Sequence, residues 1–151
     1  MTALNFPKYS IRIKNSENKA LVFDIVRKKY VRLQPEEWVR QHCLHYLVNG
    51  LGYPAGHILV ERQIRIGSLR KRVDVAVCDT AGAVRILVEC KAPDVDLSQA
   101  VFDQIARYNL QAGADYLMIT NGLTHWVGRM DRALGRYESL GGLPAYGKNG
   151  P

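Results

Sequence analysis

Three cysteines, three phenylalanines and two tryptophans are all that this 151-residue chain holds of those types. The cysteines, Cys43, Cys78 and Cys90, are odd in number, form no CxxC pair and sit in apolar contexts. That pattern argues against a disulfide scaffold and a thiolate metal centre, and fits buried, reduced thiols in a cytoplasmic protein. No apolar run approaches the roughly 20 residues of a membrane span, so no membrane role is expected. The opening residues MTALNFPKYS lack the charged-then-apolar layout of a signal peptide. There is no G-x-x-x-x-G-K-[ST] phosphate loop, no internal repeat and no low-complexity tract. An apolar content of 47% excludes general disorder, and the length suits one domain with a real core.

Acids are the scarcer charge: 14 Asp and Glu stand against 21 Lys and Arg, a net +7. The cations cluster. One block is Arg27, Lys28, Lys29 and Arg32. A second is Arg62, Arg65, Arg70, Lys71 and Arg72, with no acid between Arg62 and Arg72. Such blocks attract polyanions, although a basic block alone is more often a solvated surface.

The second block leads into Lys71 to Pro93, KRVDVAVCDTAGAVRILVECKAP. Two β-type apolar runs, Val73–Cys78 and Ala83–Cys90, flank the turn signal Asp79-Thr80-Ala81-Gly82 and read as a hairpin. Alternation places Val73, Val75 and Val77 on one face and Asp74 on the other. On the second strand it places Glu89 and Lys91 together, opposite Val88 and Cys90. The hairpin thus brings Asp74, Glu89 and Lys91 to one side of a sheet. Charges inside apolar strands need a partner or a task. Two carboxylates suit a hard cation such as Mg²⁺, with Mn²⁺ as a substitute, and a neighbouring lysine suits a reacting water or a phosphoryl oxygen.

The motif Asp74…Glu89-x-Lys91 resembles the core of the PD-(D/E)XK nuclease superfamily. A longer ordered set is more specific: Pro35-Glu36-Glu37-Trp38-Val39-Arg40, Arg72–Val77, Val88–Pro93, Gln104-x-x-x-Tyr108 and Thr120-Asn121-Gly122. It resembles the N-terminal nuclease domain of type I restriction enzyme R subunits in a short stand-alone version, from about Leu21 to Trp126. The usual Pro-Asp pair is here Val73-Asp74. The resemblance implies Asp74, Glu89 and Lys91 as catalytic residues, with Asp74, Glu89, the Cys90 carbonyl and an acid on the first helix as metal ligands. Glu37 is the favoured helix acid, since it lies seven residues before Leu44 on the buried stripe; Glu36 is its competitor. Arg70, Lys71 and Arg72 are expected to engage phosphates. Gln104 and Tyr108, one helical turn apart, are implied to support DNA engagement with Arg107 beside them, against the plainer reading of a core tyrosine.

The remaining sequence supplies the frame. Ala20–Asp24 and Lys29–Leu33 read as a β-hairpin extension before a helix that Pro35 opens and Gly50 and Gly52 close. Ile58–Ile66 alternates as a half-buried strand. A helix capped by Asp96 or Ser98 runs to about Gln111, Asp115–Thr120 is a buried strand, and Leu123–Val127 returns from an Asn121-Gly122 turn. The expected fold is α/β: a restriction-endonuclease-like mixed sheet flanked by helices, with an α-β-β-β-α-β core. Residues 1–140 form one domain, and the Gly- and Pro-rich 141–151 a flexible tail. His42 and His45 are three apart but have no acid or cysteine at ligand spacing. Trp38 and Trp126 read as packing. The functional expectation is a Mg²⁺-dependent DNA endonuclease, its alternative a DNA- or protein-binding module on a nuclease fold. Two strands must be cut for a double-strand break, so either a homodimer or a motor or recognition subunit on another chain is expected.

Overall fold

The computed structural model describes residues 2–66 and 68–147. It opens on a three-stranded antiparallel sheet of β1 (Ile13–Ser16), β2 (Lys19–Asp24) and β3 (Lys29–Arg32). The expected hairpin is β2–β3. The added strand β1 joins through Glu17 and Asn18, both at positive φ (51° and 63°), as a tight two-residue hairpin turn requires.

Helix α1 (Pro35–His45) follows, with Pro35 at its first turn and Glu36 and Glu37 where acids favour the helix dipole. It runs on into a single wider turn, Tyr46–Gly50. A six-stranded sheet comes next: β4 (Ile58–Ile66), β5 (Leu69–Cys78), β6 (Val84–Cys90), β7 (Tyr116–Thr120), β8 (His125–Asp131) and β9 (Arg136–Leu140), in that spatial order. Helix α2 (Gln99–Tyr108) connects β6 to β7, which are parallel; the other pairings are antiparallel. The order α1-β4-β5-β6-α2-β7 is the expected core. Strand β9 was not foreseen, because the charges of RYESL mask its alternation.

The two helices cover opposite faces of the sheet. On the α1 face, Val39, Cys43, Leu44 and Leu47 meet Val60, Val75, Val77, Ile86, Val88 and Cys90. On the α2 face, Phe102 and its neighbours meet Val73, Ala76, Leu87, Leu117 and Ile119. A fully buried Val or Leu stabilises the fold by about 1.5–3 kcal/mol, so these two layers dominate its stability.

One alternation differs from expectation. Val75 and Val77 face α1, but Val73 packs on the α2 side with Ile64. Opposite this point, between the pairs Val60↔Val75 and Arg62↔Val73, Glu61 has φ 50°. A left-handed residue inside a strand turns the ladder sharply, so the two halves of β5 serve different faces. Asp74 sits at that switch.

The segment expected to be a frayed tail is docked over 141–147. Leu143 is buried, the Tyr53 hydroxyl donates to the Pro144 carbonyl at 2.7 Å, and the Tyr146 N–H donates to the Leu51 carbonyl. Composition alone did not reveal these apolar anchors. Residues 148–151 of that tail lie outside the described residues.

Candidate active site

The last paired step of the β5–β6 ladder at this end is Val75↔Val88. One residue further, the antiparallel register places Asp74 beside Glu89. There the Asp74 carboxylate substitutes for a ladder acceptor: its Oδ2 takes the Cys90 N–H at 2.8 Å. Lys91 is placed by the other neighbour, its N–H donating to the Thr120 carbonyl at 2.8 Å. Its Nζ lies 3.9 Å from Glu89 Oε2. Glu89 shares the face of Leu87 and points toward α2, whose following residue Asn109 hydrogen-bonds the carboxylate.

Thr120-Asn121-Gly122 holds the chain beyond Lys91. Asn121 donates to the Val95 carbonyl and accepts from the Leu123 and Thr124 N–H groups, pinning the loop after β6 to the β7–β8 turn. Gly122 has φ 87°, and a Cβ there would fall 2.7 Å from Leu4, so the turn requires glycine.

The electrostatics mark an excess of negative charge. Burial pushes the Glu89 carboxyl up, and Asp74 pushes it further; Lys91, Lys71 and the Asn109 hydrogen bond oppose this. Glu36 is likewise raised, by burial and then by Asp74, against Arg40 and Lys91. One carboxylate thus disfavours the charge of two others, the arrangement a bound cation relieves. Among the described residues no trio of His, Cys, Asp or Glu gathers into a metal cage. The donors present are carboxylates beside a main-chain turn. They fit a hard cation that keeps part of its water shell, and not zinc.

A second network borders the site. Arg40 is 3% exposed and reaches Glu37 at 2.8 Å, Glu61 at 2.5 Å and Asp74 at 3.4 Å. Burial works against its charge, but Glu37 and the surrounding acids outweigh that and raise its pKa. Glu37 is therefore occupied: Arg40, Gln41 at 3.0 Å and Arg27 at 3.4 Å all donate to it. Glu36 has a side chain 49% exposed and, among the described residues, holds only the longer 3.6 Å ion pair to Arg40. Of the two helix acids, Glu36 is the one left open toward Asp74.

The expected DNA contacts divide. Arg70, Arg72, Gln104, Arg107 and Tyr108 are exposed. Tyr108, 70% exposed, is not a core residue. Lys71, expected to engage phosphates with Arg70 and Arg72, is instead buried. It is 5% exposed, its Nζ lies 3.5 Å from the Tyr108 ring centroid, and it has no hydrogen-bond partner among the described residues. Burial lowers its pKa, opposed by Glu89 and Asp74. Arg70 and Arg72 point outward on β5 because the strand alternates around Lys71.

Sequence reasoning missed Arg40, Glu61 and Asn109. Arg40 carried a weak signal, a cation three and four residues after two acids on one helix. Glu61 and Asn109 carried none, since their roles depend on strand and helix placement. His42 and His45 turn into aromatic contacts with Trp38 and Tyr9, and Trp126 stacks on Phe102. Cys43 and Cys90 are buried free thiols with sulfurs 3.8 Å apart; Cys78 is a half-buried free thiol. No helix among the described residues is long and apolar enough to cross a membrane.

Fold and site together define a class: a mixed α/β domain whose middle strands end in an acid–lysine cluster. The family model for the type I restriction enzyme R protein N terminus (HSDR_N) matches residues 35–144, and the chain belongs to that family. No curated protein matches the chain. The match starts at the first residue of α1, so the three-stranded sheet precedes it.

Proposed function

We propose that this chain is a metal-dependent DNA endonuclease domain of the PD-(D/E)XK type, serving a restriction system. The convergence of Asp74, Glu89 and Lys91 at the open end of β5–β6 carries this reading, with Asp74 raising Glu89. Asp74 and Glu89, with the Cys90 carbonyl, would hold Mg²⁺, or Mn²⁺ in its place, and water would fill the rest of its shell. When bound, the ion supplies charge neutralisation at the phosphate and a more acidic water. Lys91, steadied by Thr120 through its backbone, orients that water and stabilises charge on the phosphoryl oxygen. Arg40 holds Asp74 in place and keeps Glu37 out of the site. Arg70, Arg72, Gln104 and Arg107 meet the DNA, with Lys71 held beneath Tyr108 as a fixed cation near the acids.

The test is cleavage of supercoiled plasmid and branched DNA with Mg²⁺ or Mn²⁺. Wild type should cut, and Glu89→Ala should not. Equal cutting by both would place the chemistry elsewhere. The Arg40–Asp74 contact favours a second reading, a binding module whose acid is neutralised by arginine. Calorimetric Mn²⁺ titration separates the two: the nuclease binds Mn²⁺ and loses it in Asp74→Asn, whereas the module binds DNA without the ion.

Cleavage of both strands requires two sites or two successive events. A homodimer, or a motor or recognition subunit on another chain, would complete the system. Light scattering at micromolar protein, with and without DNA, distinguishes a dimer from a monomer awaiting a partner.

A further inference from the structure

The charge of this molecule is not where its chemistry is. Residues 1–34 hold eight Lys and Arg against two acids, net +6; residues 35–151 hold thirteen against twelve, net +1. Nearly all the excess therefore belongs to the segment that precedes the family match.

The three-stranded sheet sorts these charges by face. Its rows pair Ile13↔Val22↔Val31 on one side and Lys14↔Leu21↔Arg32 and Phe23↔Tyr30 on the other. Arg12 accepts the Phe23 N–H at its carbonyl, so it extends the Phe23–Tyr30 row. Alternation then places Arg12, Lys14, Lys19 and Arg32 on the face that carries Phe23 and Tyr30. All four cations are exposed, and none has a carboxylate partner among the described residues. Two are held over rings: the Arg12 guanidinium 4.1 Å from the Phe23 centroid and the Lys14 ammonium 4.0 Å from that of Tyr30. The opposite face is anchored. Val22 is fully buried, and Asp24 accepts from Arg27 and from Gln41 of α1. The cations are therefore carried on a platform fixed to the helix that borders the acid cluster.

We propose that this face is a second DNA-contacting surface, on which Arg12, Lys14, Lys19 and Arg32 grip the phosphate backbone while the acid cluster acts elsewhere on the same molecule. Unpaired cations on a rigid sheet match a polyanion, and the aromatic rows fix their spacing without offering bare rings for base stacking. The proposal rests on DNA being the substrate.

The test replaces all four cations by Gln and measures binding to a 25-bp duplex and a 25-nucleotide single strand across a salt series. The slope of log affinity against log salt for duplex should fall by about 3 to 4, close to 0.9 for each phosphate that is no longer neutralised, and affinity at 50 mM salt at least about tenfold. A control with Arg129, Arg132 and Arg136 changed to Gln should keep most of the slope. Single-turnover cleavage at saturating protein should stay within about twofold of wild type. A slope unchanged in the four-cation variant overturns the proposal while leaving the nuclease reading intact. Wild type that binds no DNA overturns both. Loss of binding to phosphatidylserine vesicles with duplex affinity unchanged would assign the face to lipid and also overturn it. A greater loss on single strand than on duplex would make unpaired DNA the occupant, with the same phosphate chemistry. Unchanged melting temperatures confirm that the variant is folded.

Discussion

In the N-terminal sheet, Arg12, Lys14, Lys19 and Arg32 stand in water with no acidic partner among the described residues; around Asp74, half-buried acids crowd one another and are met by Arg40 and Lys91. The first region holds its cations with aromatic rings and leaves them free for a ligand. The second uses its cations internally: Arg40 on Glu37, Glu61 and Asp74, Lys91 on Glu89. The difference separates two tasks. Affinity for a polyanion needs unpaired, screenable charge, whereas chemistry on a phosphate needs a few groups held still where water is scarce. Net charge therefore reports on the sheet and says little about the site.

The largest expected effect breaks chemistry and leaves attraction intact. Lys91→Ala should lower single-turnover cleavage by about 10²–10⁴-fold, the usual worth of a positioned proton-handling group. DNA affinity and its salt slope should hold, because the sheet still supplies unpaired charge. A parallel fall in both would erase the division between regions.

Arg40→Met should follow, destabilising the fold by about 1–3 kcal/mol, because the half-buried acids Glu37, Glu61 and Asp74 lose a charged donor. Urea unfolding measures it. The same loss from Lys14→Met would contradict the contrast, since an exposed unpaired cation contributes little to stability.

Glu89→Gln should move stability the other way. The folded Glu89 carboxyl is raised above its unfolded value, near ~4.3. Its contribution is thus complete below that unfolded value and is lost as pH rises through the folded one. The amide keeps the uncharged form throughout. Melting at pH 7 should rise by about 2–4 °C, the shift that ~1 kcal/mol makes in a domain of this size. The gain should shrink as pH falls toward 4. A variant less stable at pH 7 would show that Glu89 is not strained by burial and Asp74.

The smallest expected effect is at the roof of Lys71. Tyr108→Leu removes a ring 3.5 Å from the buried ammonium and should cost about 0.5–2 kcal/mol. Phe23→Leu beneath Arg12 should cost less, because that cation remains in water. Unfolding curves of the two variants compare the same interaction in the two settings.

Much of this was legible in the chain. Turn residues and alternation delimit β4 and β6 to within a residue, and Ser98 caps α2 with its side chain on the Val101 N–H. The approach of Lys91 to Glu89, at 3.9 Å, follows from their spacing on one strand. The exposure of Tyr108 was not legible, since Val101 and Ile105 share its helix and argue for a buried stripe. The burial of Lys71 was hidden by the basic run around it, where Arg70 and Arg72 do face solvent.

The sequence by itself determined most of the elements and the α-β-β-β-α-β order, because these follow from local periodicity, turn chemistry and the pairing of adjacent strands. Only the tertiary structure decided which charges are free. Glu36 is open and Glu37 taken because Arg27, Arg40 and Gln41, from a turn and a helix, all reach Glu37. Val73 and Val75 serve different layers because Glu61, on the neighbouring strand, takes a left-handed conformation. An ion pair depends on distance in space, and residues far apart in the chain carry no local pattern that announces it.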